Sequence, residues 1–140
     1  MTHQLYRAVL DTNVIFEGLT KKGGACGLIV DAWFADLFQA YVSSALAYEY
    51  TDVLARKFSS SKWSNVQPIL KTVLRKANYT SIYYSWRPAS PDPGDDLVID
   101  CAMNANAFVI TANIKDFRKA QAELGLTVMT PVQFVMLLAE

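Results

Sequence analysis

Short runs of apolar residues alternate with helical patterns along this chain, and this alternation constrains the fold more than any other feature. Uninterrupted apolar runs of this length are typical of strands buried on both faces of a parallel sheet. They predict strands over Tyr6–Leu10, Ala40–Val42, Ala107–Thr111 and Leu126–Met129, and a tyrosine-rich segment predicts another over Ser81–Trp86. Because helices separate these strands, we expect a three-layer α/β/α sandwich with a mainly parallel central sheet.

Helical spacing of apolar residues, together with the residue types at each end, places the helices between the strands. Helices are predicted over about Ala25–Phe38, from Ser43-Ser44 to about Lys57, after Ser59–Ser61, from Asp95 or Asp96, over Lys115–Leu124, and after Thr130-Pro131. Leu28 and Leu37 belong to the predicted apolar face of the first helix. Pro68 lies inside the third pattern, where it would kink the helix or mark a later start. The proline-rich segment Pro88–Gly94 is predicted to be a loop.

Composition indicates one globular domain that spans residues 1–140. The chain has 140 residues, of which 52% are hydrophobic, and this is enough apolar material for a core. Two cysteines outside any Cys-x-x-Cys pattern and a single histidine argue against a zinc site built from those residues. No apolar run approaches the roughly 18 residues of a membrane span, and no signal peptide is apparent. We therefore expect a cytoplasmic protein with no membrane segment.

Charge is balanced overall but unevenly distributed. The formal net charge is zero, yet no acidic residue lies between Asp52 and Asp92. The basic residues of this acid-free stretch are Arg56, Lys57, Lys62, Lys71, Arg75, Lys76 and Arg87. The stretch is either a track for RNA phosphates or a partner surface, or it is an ordinary solvated helix face. Its aromatic residues, Trp63, Tyr83, Tyr84 and Trp86, either stack on bases or pack in the core or an interface.

Acidic residues follow several of the predicted strands. Asp11 ends the first strand, Glu49 comes one helical turn after the second, and Asp116 follows the strand that ends at Thr111. Asp95 and Asp96 stand at the start of the helix before that strand. Parallel strands bring such positions to one edge of the sheet. Gathered carboxylates repel one another unless a cation neutralises them, and oxygen ligands suit Mg²⁺ or Mn²⁺. Such a site is suited to metal-assisted hydrolysis of phosphodiesters.

The order of these acidic motifs resembles that of the PIN-domain family, especially its small bacterial stand-alone members, which are toxin-like ribonucleases. The resemblance covers nearly the whole chain, from about Arg7 to Leu138. The matching segments are Val9-Leu10-Asp11-Thr12-Asn13, Glu49 with Leu54, Asp92-Pro93-Gly94-Asp95-Asp96 with Ala102, Thr111-Ala112-Asn113-Ile114-Lys115-Asp116-Phe117, and Thr130-Pro131 with Phe134. The resemblance implies the fold predicted above and a metal-dependent endoribonuclease.

The resemblance also implies roles for individual residues. The catalytic acidic quartet would be Asp11, Glu49, Asp95 and Asp116, and the same four residues would bind Mg²⁺ or Mn²⁺. Asp96 would be an additional or competing metal ligand, although Asp95 is favoured because it shares a helix face with Ile99 and Ala102. Asn13, Thr111 and Asn113 would contact the metal ligands, and not the metal itself, and so orient them. Many family members have aspartate where this chain has Asn113, which predicts weak or absent binding of a second metal unless Asp116 takes the place of that aspartate. Asp100 is predicted to lie on the helix surface.

Three functions compete on these observations. The first is a ribonuclease that acts on RNA as the toxin of a toxin–antitoxin pair, with a cognate antitoxin and a homodimer as expected assemblies. The second is a PIN-like module with weak or no catalysis that acts through protein or RNA contacts, which the neutral charge and Asn113 favour. The third is a phosphatase that uses Asp11 as nucleophile, but such enzymes usually carry a second acid where this chain has Asn13.

Overall fold

A computed structural model of the protein describes residues 5–21, 23–86, 90 and 92–140. In chain order its elements are β1 (Arg7–Leu10), α1 (Thr12–Thr20), α2 (Ala25–Phe34), β2 (Gln39–Val42), α3 (Ser44–Lys57), α4 (Ser60–Lys76), β3 (Asn78–Tyr79), α5 (Pro93–Ala105), β4 (Phe108–Ile110), a 3₁₀ helix (Ile114–Phe117), α6 (Arg118–Leu124), β5 (Val128–Met129) and α7 (Pro131–Leu138). Strands and helices therefore alternate through most of the chain, as the sequence predicts.

All five strands form one parallel sheet in the order β3-β2-β1-β4-β5. β1 lies at the centre, where Ala8 pairs with Ala40 of β2 and Leu10 pairs with Ile110 of β4. Ala8, Val9 and Leu10 are buried, as expected for a strand covered by helices on both faces. The sheet and its flanking helices confirm the predicted fold class.

The residues at the helix ends explain why the helices begin and end where they do. The Ser43 side chain accepts a hydrogen bond from the backbone N–H of Leu46 at the start of α3. Thr130 and Gln133 form a reciprocal capping box at the start of α7, and Pro131 occupies its first turn. Gly125 ends α6 with a φ of 69°, a conformation that favours glycine. These ends confirm the predicted helix signals.

The prediction of a strand over Ser81–Trp86 is wrong. The fifth strand is Asn78–Tyr79, which pairs with β2, and residues 81–86 belong to no strand or helix. The backbone N–H groups of Tyr83 and Tyr84 instead donate to Oδ1 of Asn104, at 3.0 and 3.3 Å. A side chain of α5 therefore satisfies the donors that a neighbouring strand would otherwise satisfy.

Several predicted helix boundaries also need correction. α4 runs continuously from Ser60 through Pro68 to Lys76, so Pro68 does not mark a later start. α2 ends at Phe34, soon before Asp36, which has a φ of 58°. Leu37 therefore lies beyond the helix and is exposed. Leu28 lies within α2 but is also exposed, so neither belongs to a buried helix face.

The loop predicted over Pro88–Gly94 ends earlier than expected, because α5 already begins at Pro93 with Asp92 as its N-cap. Residues 88, 89 and 91 of that predicted loop lie outside the described residues. Within the described part of the chain, no helix is both long enough and apolar enough to cross a lipid bilayer.

Candidate acidic active site

Asp11 lies at the carboxyl end of the central strand, at the N-cap of α1, and is buried. Its Oδ2 accepts a hydrogen bond of 2.8 Å from the hydroxyl of Thr111. The Tyr50 hydroxyl donates to the backbone carbonyl of Leu10, which holds α3 against the end of this strand. Burial raises the pKa of Asp11, the Thr111 hydrogen bond lowers it, and the charges of Asp92 and Asp116 raise it further. Asp11 is therefore a buried acid with other acids near it.

Asp95 lies in the first turn of α5 and is half-buried. Burial and the neighbouring carboxylates raise its pKa to about 7. Burial is the largest cause, followed by the charges of Asp11, Asp92, Asp116 and Asp96 in that order. Since one carboxyl is affected by acids from the end of β1, from the start of α5 and from the 3₁₀ helix, these acids form one electrostatically coupled group.

The segment after β4 brings Asp116 and Thr111 to the same place. Thr111 is fully buried, and its hydroxyl oxygen accepts the backbone N–H of Asn113 at 3.0 Å while it donates to Asp11. Asn113 then leads into the 3₁₀ helix that carries Asp116. Thr111 thus connects the two strand ends, whereas the Asn113 side chain is exposed and is not the group that makes this contact.

Glu49 approaches the group from α3, and a glycine makes room for it. A Cβ atom placed on Gly94 would lie 3.3 Å from Oε1 of Glu49 and 3.3 Å from Oδ1 of Asp92. Gly94 therefore lets two carboxylates lie against the backbone at the start of α5. The structure thus brings all four predicted catalytic acids to one edge of the sheet.

Asp92 is an acid of this group that the sequence reasoning missed. It is the N-cap of α5, where its Oδ1 accepts the backbone N–H of Gly94 at 2.8 Å, and its charge raises the pKa of both Asp11 and Asp95. The Asp-Pro pair before a helix was the available signal, since aspartate favours N-caps and proline favours the first turn.

Asp96 is more buried than Asp95 and accepts a hydrogen bond of 3.0 Å from the hydroxyl of Ser90. Asp96 is also charge-coupled to Asp95. One helical turn later, Asp100 corrects another prediction, because it is only 3% exposed. It accepts hydrogen bonds from the Ser85 hydroxyl and the Trp86 backbone N–H, so it anchors the segment that follows β3.

Asn13 is exposed, and its Oδ1 accepts a hydrogen bond of 3.0 Å from the ammonium group of Lys57. No contact from Asn13 to the acidic residues is among those of the described part of the chain. Sequence analysis identifies Lys57 only as one basic residue of the acid-free stretch and predicts no contact with α1. Its position at the end of α3 gave no local signal of a contact with a residue 44 positions earlier.

The donor set has the chemistry that a hard divalent cation requires. Carboxylate oxygens are the ligands that Mg²⁺ and Mn²⁺ prefer, and a cation would relieve the repulsion that raises the pKa of Asp95. Among the described residues, however, no three acidic, cysteine or histidine side chains are already arranged as a closed metal site. The residues therefore fit the metal by type and location, and their side chains would draw together to bind it.

Residues 7–115 match the sequence profile of the PIN domain. The chain therefore belongs to the PIN-domain family, which is a family of nucleases that generally use divalent metal ions. No curated protein sequence matches the chain significantly.

Two solved structures are similar in fold. One is VapBC2 from Rickettsia felis bound to a DNA fragment from its promoter, with a TM-score of 0.61, 16% identity, and coverage of 89% of this chain and 98% of that chain. The other is FitAB bound to an IR36 DNA fragment, with a TM-score of 0.59, 15% identity, and coverage of 89% and 94%.

Proposed function

We propose that this protein is a metal-dependent endoribonuclease that hydrolyses RNA phosphodiester bonds at the acidic edge of its sheet, and that residues 1–140 act as one domain. The observation that carries the proposal is the coupled group of Asp11, Asp95 and Asp116, contributed by three separate segments of the chain. A structural role would not require acids that are buried or half-buried to be gathered at mutual cost. Membership of the PIN-domain family supports the same chemistry.

In this proposal Asp11, Glu49, Asp95 and Asp116 hold Mg²⁺ or Mn²⁺, and Asp96 is an additional ligand. The bound ion would activate water and stabilise charge that develops on the phosphate. The chain's own contribution is to orient the ligands. Thr111 fixes one oxygen of Asp11, and Gly94 leaves space for Glu49. Asn13 and Asn113 sit next to these segments but do not directly contact Asp11 among the described hydrogen bonds.

The direct test is the substitution Asp11→Asn, which removes the charge but keeps the shape of the side chain. We expect the rate of RNA cleavage to fall by on the order of 100-fold or more, since removal of one group that stabilises the transition state has an effect of this size. The measurement is cleavage of a mixed RNA pool by the purified protein with Mn²⁺ as the added ion. The matched control is Asp31→Asn, because Asp31 is an exposed aspartate on α2.

Full activity of the Asp11→Asn variant would overturn the proposed site. A wild-type protein that binds RNA but does not cleave it with either metal would instead favour the second candidate, a PIN-like module that acts through RNA or protein contacts. Two observations favour that candidate. Asn113 stands where many family members have aspartate, and among the described residues no three acids are already arranged as a metal site.

We also propose that the protein is the toxin of a toxin–antitoxin pair and forms a homodimer. The shared fold with VapBC2 and FitAB, both solved on DNA fragments, supports the first part of the proposal. Exposed apolar side chains support the second, since Tyr48, Tyr83, Tyr84 and Met136 are each well exposed to solvent. Light scattering of the purified protein and co-purification with the product of a neighbouring small reading frame test the two parts separately.

A further inference from the structure

The ammonium group of Lys57 is held in place at the end of α3 by two contacts with α1. Its Nζ donates to Oδ1 of Asn13 at 3.0 Å and lies 4.8 Å from the centre of the Phe16 ring. The Phe16 ring is itself stacked on Phe58, with ring centres 5.0 Å apart. A cation above an aromatic face is attracted by the negative face of the ring. Lys57 is therefore an oriented charge, unlike a surface lysine that samples many rotamers.

This oriented charge lies at the margin of the acidic site. Asn13 is only two residues beyond Asp11, in the first turn of α1. On the other side, α3 carries both Glu49 and Lys57, eight residues apart. At 1.5 Å per residue they are separated by about 12 Å along the helix axis. Lys57 is thus too far along the helix to neutralise Glu49 directly, but near enough to reach the backbone of a chain bound at the acids.

The charge of Lys57 is also uncompensated within the described residues. The ion pairs there join Arg56 to Asp52 and Lys76 to Asp36, and neither includes Lys57. A lysine ammonium has three N–H donors, and the neutral Asn13 amide uses one. Because Lys57 is exposed, its remaining donors can reach a ligand from solvent. Its basic neighbours in the acid-free stretch, Arg56 and Lys76, are by contrast already paired.

We propose that Lys57 binds a backbone phosphate of the RNA beside the bond that is cut, and so guides the strand into an otherwise repulsive acidic site. The inference rests on the proposed ribonuclease function and adds a phosphate-binding residue to it. An acidic edge repels a polyanion, so a fixed cation at its margin both attracts the strand and sets where it enters. Lysine is suited to this role as a compact point charge for phosphate.

The experiment measures RNA binding separately from cleavage. The Asp11→Asn protein, with Mg²⁺ present, is titrated against a fluorescent single-stranded RNA at several salt concentrations, with and without Lys57→Gln. We expect Lys57→Gln to weaken binding by about fivefold and to lower the slope of log affinity against log salt by about 0.7, the value for one phosphate contact on a single strand. A residue that merely oriented Asn13 would leave this salt slope unchanged.

Three further variants complete the test. Lys57→Arg keeps the charge and should retain most of the affinity, whereas Lys57→Met keeps an apolar stem beside Phe16 and should behave like Lys57→Gln. Lys21→Gln is the matched control, because Lys21 is an exposed lysine at the opposite end of α1 from Asn13. It should leave both affinity and salt slope unchanged. Thermal unfolding of each variant establishes that the fold is intact.

An unchanged salt slope in Lys57→Gln and Lys57→Met would overturn this inference, as would an equal loss in Lys21→Gln, which would reflect net charge alone. These results leave the proposed function intact as long as the wild-type protein cleaves RNA with Mn²⁺. Absence of both cleavage and RNA binding in the wild-type protein would instead overturn the proposed function, and this inference with it.

Discussion

Thr111 is the residue on which the geometry of the site most directly depends. It is fully buried, its hydroxyl donates to Asp11, and the same oxygen accepts the backbone N–H of Asn113. One hydroxyl group therefore orients a proposed ligand and also fixes the start of the segment that leads to Asp116. Backbone pairing also joins these two strand ends, since the N–H of Asp11 donates to the carbonyl of Ile110. Loss of the Thr111 hydroxyl should therefore affect the site more than the sheet.

We predict that Thr111→Val lowers both Mn²⁺ affinity and RNA cleavage by about 10–100-fold, the usual effect of removing a group that orients a metal ligand. Valine matches threonine in shape but leaves one oxygen of Asp11 without its donor. Thr111→Ser keeps the hydroxyl and should lose much less. Calorimetric titration with Mn²⁺ and an RNA cleavage assay measure the two effects. Equal metal affinity in the valine and serine variants would contradict the prediction.

Sequence reasoning at the level of single residues succeeded where a motif ties a side chain to a strand end. Asp11, Asp116 and Thr111 follow from that rule, whereas Asp95 follows from its place at the start of a helix, and the structure brings these residues together. It failed where the contact partner is distant in sequence. Asp100 is buried by a segment that precedes its own helix, and Lys57 meets Asn13 across 44 residues. Periodicity within one helix carries no information about such partners.

At the scale of the secondary-structure elements, α1 and α2 pack closely against each other at Gly18. A Cβ atom on Gly18 would lie 2.5 Å from a methyl carbon of Val30 and 2.7 Å from the backbone oxygen of Cys26. The second contact is with the backbone and cannot be relieved by a change of rotamer. Gly18 therefore sets how closely α1, whose N-cap is Asp11, can approach α2.

We predict that Gly18→Ala lowers the free energy of unfolding by about 1–3 kcal/mol through overpacking. This is the net loss after the gain of about 1 kcal/mol in helix propensity that alanine has over glycine. Gly24→Ala is the comparison, since nothing lies within 4 Å of a Cβ atom at Gly24 and any cost there reflects only the loss of glycine at the N-cap of α2. Urea denaturation of both variants supplies the comparison. A Gly18→Ala protein as stable as the wild type would show that the two helices can move apart at little cost.

Strands and helices could be predicted from the sequence where a local residue pattern determines their type and their ends. The buried strands β1, β2 and β4 are apolar runs, and serine, threonine or glycine marks the ends of α3, α7 and α6. The fifth strand was placed wrongly because tyrosine-rich residues 81–86 have high strand propensity but face no partner strand. Hydrogen bonds to Asn104 decide their conformation, and no pattern within the segment reveals them.

At the scale of the whole molecule, the acidic site makes stability depend on pH and metal together. The pKa of Asp95 rises from 3.8 to about 7 in the folded protein. The folded state therefore binds more protons than the unfolded state between these values. The favourable contribution of protonated Asp95 is fully present below about pH 4 and is lost as the pH rises through about 7. Without metal, the protein should consequently be less stable at neutral than at mildly acidic pH on account of this residue.

We predict that Asp95→Asn raises the melting temperature of the metal-free protein at about pH 8 by a few degrees and has little effect near pH 4, because asparagine carries no charge to repel. With Mn²⁺ added, the wild-type protein should melt at a higher temperature than Asp95→Asn, since a ligand stabilises the folded protein more when it binds more tightly. Thermal scans in chelator and in Mn²⁺ at the two pH values measure both effects. A wild-type protein that melts above Asp95→Asn in chelator at the higher pH would contradict the prediction.

The parallel pairing of β1 with β4 fixes when the site can exist during synthesis. Asp11 meets Thr111 across 100 positions of the chain, and Asp95 and Asp116 also come from the second half. When only the first half of the chain has emerged from the ribosome, Asp11 and Glu49 are present without Asp95, Asp116 and Thr111. A nascent chain therefore has no assembled acidic site. Under the proposed function, the messenger RNA being read meets the finished site only after the chain has emerged beyond Asp116.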